Sequence, residues 1–267
     1  MTWRLVQLVR QPADDYLNAL GLFLSGWRWS RAPILALAAV LTWWIYVPLH
    51  ELAHAFGCML GGGTVSRLDI DPLYGAALLQ RVFPFVAVGS DYAGQLTGFD
   101  TRGSDLTYLL TDFLPFIATI IVGVPLLQAV GRPGWSSAAQ AALFGASLPI
   151  AFAPFVSITG DYYEMGSIIV SRLVRAIDPS FVVTRWRSDD LLRLGGQLFA
   201  DQGNGTIGDA VGLTAAFLVG CALAVLTYAA GTSFARVISS PRAESAAPAN
   251  RVGPPARSGS VQHSTSD

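Results

Sequence analysis

The chain has no lysine. All 17 of its basic residues are arginine, and against 18 carboxylates they leave a net charge of −1. This even balance lacks the basic excess that nucleic-acid binding requires, so no nucleic-acid partner is expected. Charge of either sign is scarce. Only 13% of the 267 residues are charged, roughly half the share usual in soluble domains. Cysteine is scarcer still: Cys58 and Cys221 both fall in apolar stretches, and two such residues make no disulfide framework. The N-terminus carries neither a full apolar core nor a cleavage site of the signal-peptide kind, so the first long apolar helix is expected to act as the insertion signal. Histidine and glutamate occur three times each.

Apolar sequence is plentiful. Hydrophobic residues make up 52% of the chain, and they gather in long uncharged runs: 32–49, 113–131, 133–160 and 210–235. A bilayer core needs about 20 such residues per helix. The expected fold is therefore an all-α polytopic membrane protein with about four transmembrane helices. It is an integral, multi-pass protein whose partners are the lipid bilayer and a membrane protein or peptide, and the cell membrane is its expected location.

The order of pieces follows from punctuation. Residues 1–32 form an N-terminal amphipathic, interfacial segment. Its helix is expected from Asp14 to Trp27, followed by Trp27, Arg28, Trp29 and Arg31 as membrane-surface anchors. A membrane domain then occupies 33–238. Its first span runs from Pro33 to Leu60 and stops at Gly61, Gly62 and Gly63. Residues 64–105 contain alternating stretches, including 76–88 (AALLQRVFPFVAV), which predict a small membrane-associated β-hairpin region after the first span. An exposed sheet edge is not tolerated in lipid, so these strands must pack on the helices. A free edge there would also suit pairing with an extended peptide. The second span, Leu106 to Val130, is expected to kink near Pro115 and Pro125. The third apolar stretch is interrupted by Pro149 and Pro154, with a new helix starting near Asp161. A last span covers Asp209 to Phe234, and residues 239–267 read as a disordered Ser-, Pro-, Ala- and Arg-rich tail.

One pentapeptide concentrates the rare residue types. His50-Glu51-Leu52-Ala53-His54 (HELAH) holds two of the three histidines and one of the three glutamates, late in the first apolar helix. Residues four apart on a helix share a face, so both imidazoles can reach one metal ion. Glu51 points partly aside, beside the position where a water would stand. Zinc with three protein ligands keeps one open position and lowers the pKa of a water there to about 7. Glu51 is thus the candidate general acid/base. Ionisable residues at this depth are costly, which makes them functional candidates. Cys58 follows His54 by four and shares its face, as a soft ligand or as a small packing residue.

A third ligand must be a carboxylate, since His263 lies in the tail. Asp161, Glu164 and Asp112 are all open by position: Asp161 and Glu164 come late in a span parallel to the first, and Asp112 at the start of the antiparallel second span, near the same face.

In this setting HELAH resembles the site-2 protease class of intramembrane zinc metalloproteases (peptidase family M50). The resemblance covers about residues 33–175. It implies that Asp161, after the proline-interrupted stretch 153–160, completes a zinc site with His50 and His54. It also implies an endopeptidase that hydrolyses bonds in membrane-embedded or membrane-proximal substrates, in regulated intramembrane proteolysis. Two features depart from the family pattern. Tyr162 follows Asp161 where the family has glycine, and the stretch 111–116 carries no asparagine. Tyr162 and Tyr163 are therefore candidate donors to the reacting oxygen. The departures also motivate an alternative, a non-catalytic protein that keeps the fold and acts as a binding or scaffolding partner. A metal transporter fits less well, because the last span has no ligand side chains in its apolar run.

Overall fold

A computed structural model describes residues 2–25, 29–132, 134–201 and 203–239. The expected anchors Trp27 and Arg28, the tail from residue 240 and His263 lie outside the described residues. The described part is mostly helical, with a small three-stranded sheet. Helix α1 (Thr2–Leu24) runs through Pro12, so the N-terminal helix begins well before the expected Asp14. Helix α2 (Ala32–Leu60) opens with proline in its first turn, where a missing N–H costs nothing, and ends at the Gly61 cap.

Three helices are long and apolar enough to cross a membrane: Ala32–Leu60, Asp105–Ala129 and Ile207–Ser239. Their outward faces carry large apolar side chains, such as Leu37, Val40 and Leu41 on the first and Val211, Leu218 and Leu226 on the last. In water such faces would be a liability; in lipid they need no cover.

The segment after α2 is a sheet rather than a simple hairpin. Strands β1 (Thr64–Ile70), β2 (Val86–Val88) and β3 (Gly94–Asp100) are ordered β2-β1-β3, with β1–β2 parallel and β1–β3 antiparallel. The parallel pairing needs a crossover, and helix α3 (Ala76–Val82) is part of it. Residues 76–82 are therefore helical, not strand as their pattern suggested. Ala, Leu, Gln and Arg are good helix formers, and Gly75 at φ 76° supplies the turn before them. Leu68, Ile70 and Val86 from the sheet bury against Leu52 and Ala55 of α2. The sheet is thus bonded by packing to the helix that carries HELAH. Trp43 and Trp44 extend this docking: their indole N–H groups donate to the Tyr74 hydroxyl at 3.2 Å and the Leu73 carbonyl at 2.6 Å.

The second long helix is irregular where its prolines fall. Helix α4 (Asp105–Phe113) passes through a tight turn at Leu114–Phe116 and a wide π turn at Thr119–Gly123 into α5 (Val124–Ala129). The Thr119 hydroxyl donates to the Ile150 carbonyl at 2.7 Å, which holds the wide turn against helix α6 (Ser137–Ala151). After α6 come the short turn α7 (Ala153–Val156) and then α8 (Asp161–Ile177), the helix, break and second helix expected there. At 15 residues α6 is shorter than a spanning helix. A small helix α9 (Leu191–Gly196) precedes the long α10 (Ile207–Ser239).

Glycines set how closely the helices approach. A Cβ on Gly57 would stand 2.3 Å from the Leu110 carbonyl oxygen, and one on Gly61 would meet Thr107 at 2.8 Å. That pairing, rising along α2 and falling along α4, makes the two helices antiparallel. Gly166 and Gly220 play the same part between α8 and α10.

Candidate metal centre

Helical periodicity delivers the first two groups. His50 and His54 stand one above the other on α2, with ring centroids 4.9 Å apart. The third group arrives from the break before α8. Asp161 is the first residue of that helix, and the two tyrosines after it peg its position. Tyr162 is fully buried and donates to the Thr227 hydroxyl at 2.8 Å, while Tyr163 donates to the Trp186 carbonyl at 2.7 Å. Both hydroxyls are engaged away from the site, so neither serves as a donor to a reacting oxygen.

The three side chains converge. His50 Nε2 is 3.5 Å from Asp161 Oδ2, and His54 Nε2 is 3.7 Å from Asp161 Oδ1. One ligand atom from each residue lies within 4.8 Å of the others. The side chains are 11%, 10% and 21% exposed, so the group is largely withdrawn from solvent. The separations bear on what the group can hold. Ligands at about 2.0–2.1 Å from a tetrahedral zinc ion are about 3.3–3.4 Å apart. Contacts of 3.5 and 3.7 Å are long for hydrogen bonds and close to this spacing.

The far sides of both rings are occupied. His54 Nδ1 lies 2.9 Å from the Thr111 carbonyl oxygen, and His50 Nδ1 lies 3.1 Å from the Tyr46 hydroxyl. A carbonyl can only accept, so His54 carries a proton on Nδ1 and presents Nε2 to Asp161. Such outer partners hold a metal-binding ring in orientation and tautomer. Phe116 packs edge-on to His50 at 5.2 Å and against Tyr162 at 4.6 Å, joining the two halves of the group.

Glu51 lies beside the group, with Gly94 of β3 laid directly over it. A Cβ at Gly94 would be 2.3 Å from Glu51 Cγ. Glu51 also lines a chamber of about 550 Å³ that includes all three ligand candidates, the start of β3 and the 187–193 loop. A narrower recess of about 120 Å³ opens on the other side of His50 and Glu51, walled by Trp43, Val47, Ala153 and Val156.

The other acids are placed differently. Glu164 accepts the Tyr108 hydroxyl at 2.5 Å, and Asp112 is buried on α4; both line the chamber outside the His50–His54–Asp161 group. Cys58 turns toward the Thr64 and Asp100 carbonyls and packs beneath the sheet. Tyr46, Thr111, Phe116 and Gly94 were not singled out from the sequence. Tyr46 had a usable signal, since it precedes His50 by four on the same face. Thr111 acts through its backbone and Gly94 through having no side chain, and neither leaves a trace in the residue pattern. A search of protein-family models, curated proteins and solved structures finds none that matches this chain.

Proposed function

We propose that this chain is a multi-pass zinc metalloendopeptidase of the site-2 protease type in the cell membrane, cutting peptide bonds of membrane-embedded or membrane-proximal substrates. The observation that carries the reading is the convergence of His50, His54 and Asp161 beside Glu51, with both Nδ1 atoms already engaged. The donor set of two imidazoles and a carboxylate with one position left open is that of catalytic zinc. A zinc ion held there would polarise the scissile carbonyl and make water acidic enough to lose a proton near neutral pH. Glu51 takes that proton on its carboxylate and returns it to the departing amine nitrogen.

The surrounding residues serve substrate delivery. Strand β3 is an edge of the sheet and runs past the chamber through Gly94, Gln95 and Leu96. An extended peptide pairing there would be led over Glu51. A fourth span, built from α6 and the turn after it, would complete the bundle in lipid. The reading is tested with purified protein and a membrane-tethered reporter peptide. Zinc-dependent cleavage that is lost in Glu51→Gln supports it. A Glu51→Gln protein that cuts at the wild-type rate removes the mechanism.

The departures at Tyr162 and in 111–116 keep a second reading, a metal-binding scaffold without turnover. Its support is that both tyrosine hydroxyls are engaged elsewhere. Metal binding with no cleavage of any tethered peptide would favour it.

A further inference from the structure

We infer that the chamber beside the metal group selects a cationic side chain, lysine or arginine, adjacent to the bond that is cut. The inference rests on the peptidase reading. It starts from which carboxylates in the chamber already have partners. Asp161 is held between the two histidines. Asp190 caps α9 by accepting the backbone N–H of Arg193 at 2.9 Å, and Asp189 accepts the side-chain amide of Gln95 at 2.8 Å. Arg187, which lines the chamber, forms a two-pronged ion pair with Asp105 at 2.9 and 3.1 Å, and Arg172 also bonds Asp105. That pairing commits its guanidinium to Asp105.

Asp112 and Glu164 are what is left. Asp112 is 4% exposed and lines the chamber, yet its Oδ2 has no hydrogen-bond partner among the described residues. Glu164 is 6% exposed and has the Tyr108 hydroxyl on one oxygen. A buried carboxylate oxygen without a partner, as on Asp112, is unfavourable, and the usual remedy is a cation or a shared proton. A guanidinium or ammonium group on a flexible stem can enter a chamber of about 550 Å³ and supply several donors at once. On the other side of His50 and Glu51 the recess of about 120 Å³ is walled mainly by apolar groups and suits a small apolar side chain. A substrate lying across the site would then present an apolar residue on one side of the cut and a basic one on the other.

The test uses the full chain in lipid nanodiscs loaded with zinc, and apolar peptides of about 25 residues that differ at one position, Lys, Arg, Gln or Glu. Cleavage is followed by mass spectrometry, and binding is measured separately on Glu51→Gln protein. The expected result is that Lys and Arg peptides have kcat/KM about 10- to 100-fold above the Gln peptide, with Glu lower still and the cut next to the basic residue. Binding to Glu51→Gln should rank the same way. Glu164→Gln, and Asp112→Asn where it folds, should bring the Lys-to-Gln ratio toward one. Equal handling of Lys and Gln peptides by the wild type would mean that the two acids share a proton, and would overturn the inference. So would an unchanged ratio in folded Glu164→Gln and Asp112→Asn proteins. If no peptide is cut but Lys still binds about tenfold tighter, the recognition stands and the peptidase reading falls; if neither is seen, both fall.

Discussion

The His54 imidazole is hydrogen-bonded through Nδ1 to the Thr111 carbonyl of the neighbouring helix, at 2.9 Å. The distance depends on how near α2 and α4 can come. Gly57, three residues beyond His54, has its Cα face against the Leu110 carbonyl, and any Cβ would stand 2.3 Å from that oxygen. The orientation of the His54 ring is therefore set by a glycine outside the candidate metal group.

Replacing Gly57 by valine should push the helices apart and break the Thr111 contact. We expect a loss of stability of about 1–3 kcal/mol from overpacking and a fall in zinc affinity of about 10- to 100-fold from the lost outer partner. Thermal denaturation and a competitive zinc titration measure the two. Wild-type zinc affinity in Gly57→Val would show that the Thr111 contact does not orient the ring.

Metal binding and turnover should separate by residue. His54→Ala should lose both zinc and activity, whereas Glu51→Gln should keep zinc and lose roughly 100- to 10,000-fold in kcat. A chelator should abolish cleavage, and added zinc should restore it. Metal content by mass spectrometry beside a cleavage assay checks all of these.

Gly94→Ala probes the cover over the acid/base. Its new methyl would fall 2.3 Å from Glu51 Cγ, so either Glu51 or the first residues of β3 must shift. Zinc content should be unchanged while kcat falls by at least about tenfold, the loss expected when a proton-transfer group is misplaced. Undiminished kcat would mean that Glu51 does not work from the position seen here.

Tyr162→Phe separates the peg from the ring. It removes the hydrogen bond to Thr227 but keeps the packing against Phe116. The melting temperature should drop by an amount equivalent to about 1 kcal/mol, with zinc affinity changed less than threefold. A large loss of zinc affinity would show that the hydroxyl, rather than the ring, holds Asp161 in place.

Several of these features were open to reading in one dimension. The helix break before Asp161 was visible because proline and glycine act on their own neighbours. The irregular turns at Leu114–Phe116 and Thr119–Gly123 fall where Pro115 and Pro125 predicted kinks. The 76–82 segment was misread because its apolar spacing is short enough to fit either period; it is the crossover that lets β2 pair in parallel with β1. Helix α1 begins earlier than its acidic residues suggested, and its added first turns leave Trp3, Leu5, Val6 and Val9 exposed rather than packed.

By itself the sequence determined that two imidazoles and a carboxylate share one turn of an apolar helix, because 3.6 residues per turn is a property of the backbone alone. It also determined that long uncharged runs must meet something other than water. Only the tertiary structure decided that Asp161, rather than Asp112 or Glu164, closes on His50 and His54. It alone left Asp112 and Glu164 on the wall of the same chamber, outside the ligand group. That choice depends on close approaches between distant stretches of chain, set by bare glycines and buried tyrosine hydroxyls, and no local period encodes them.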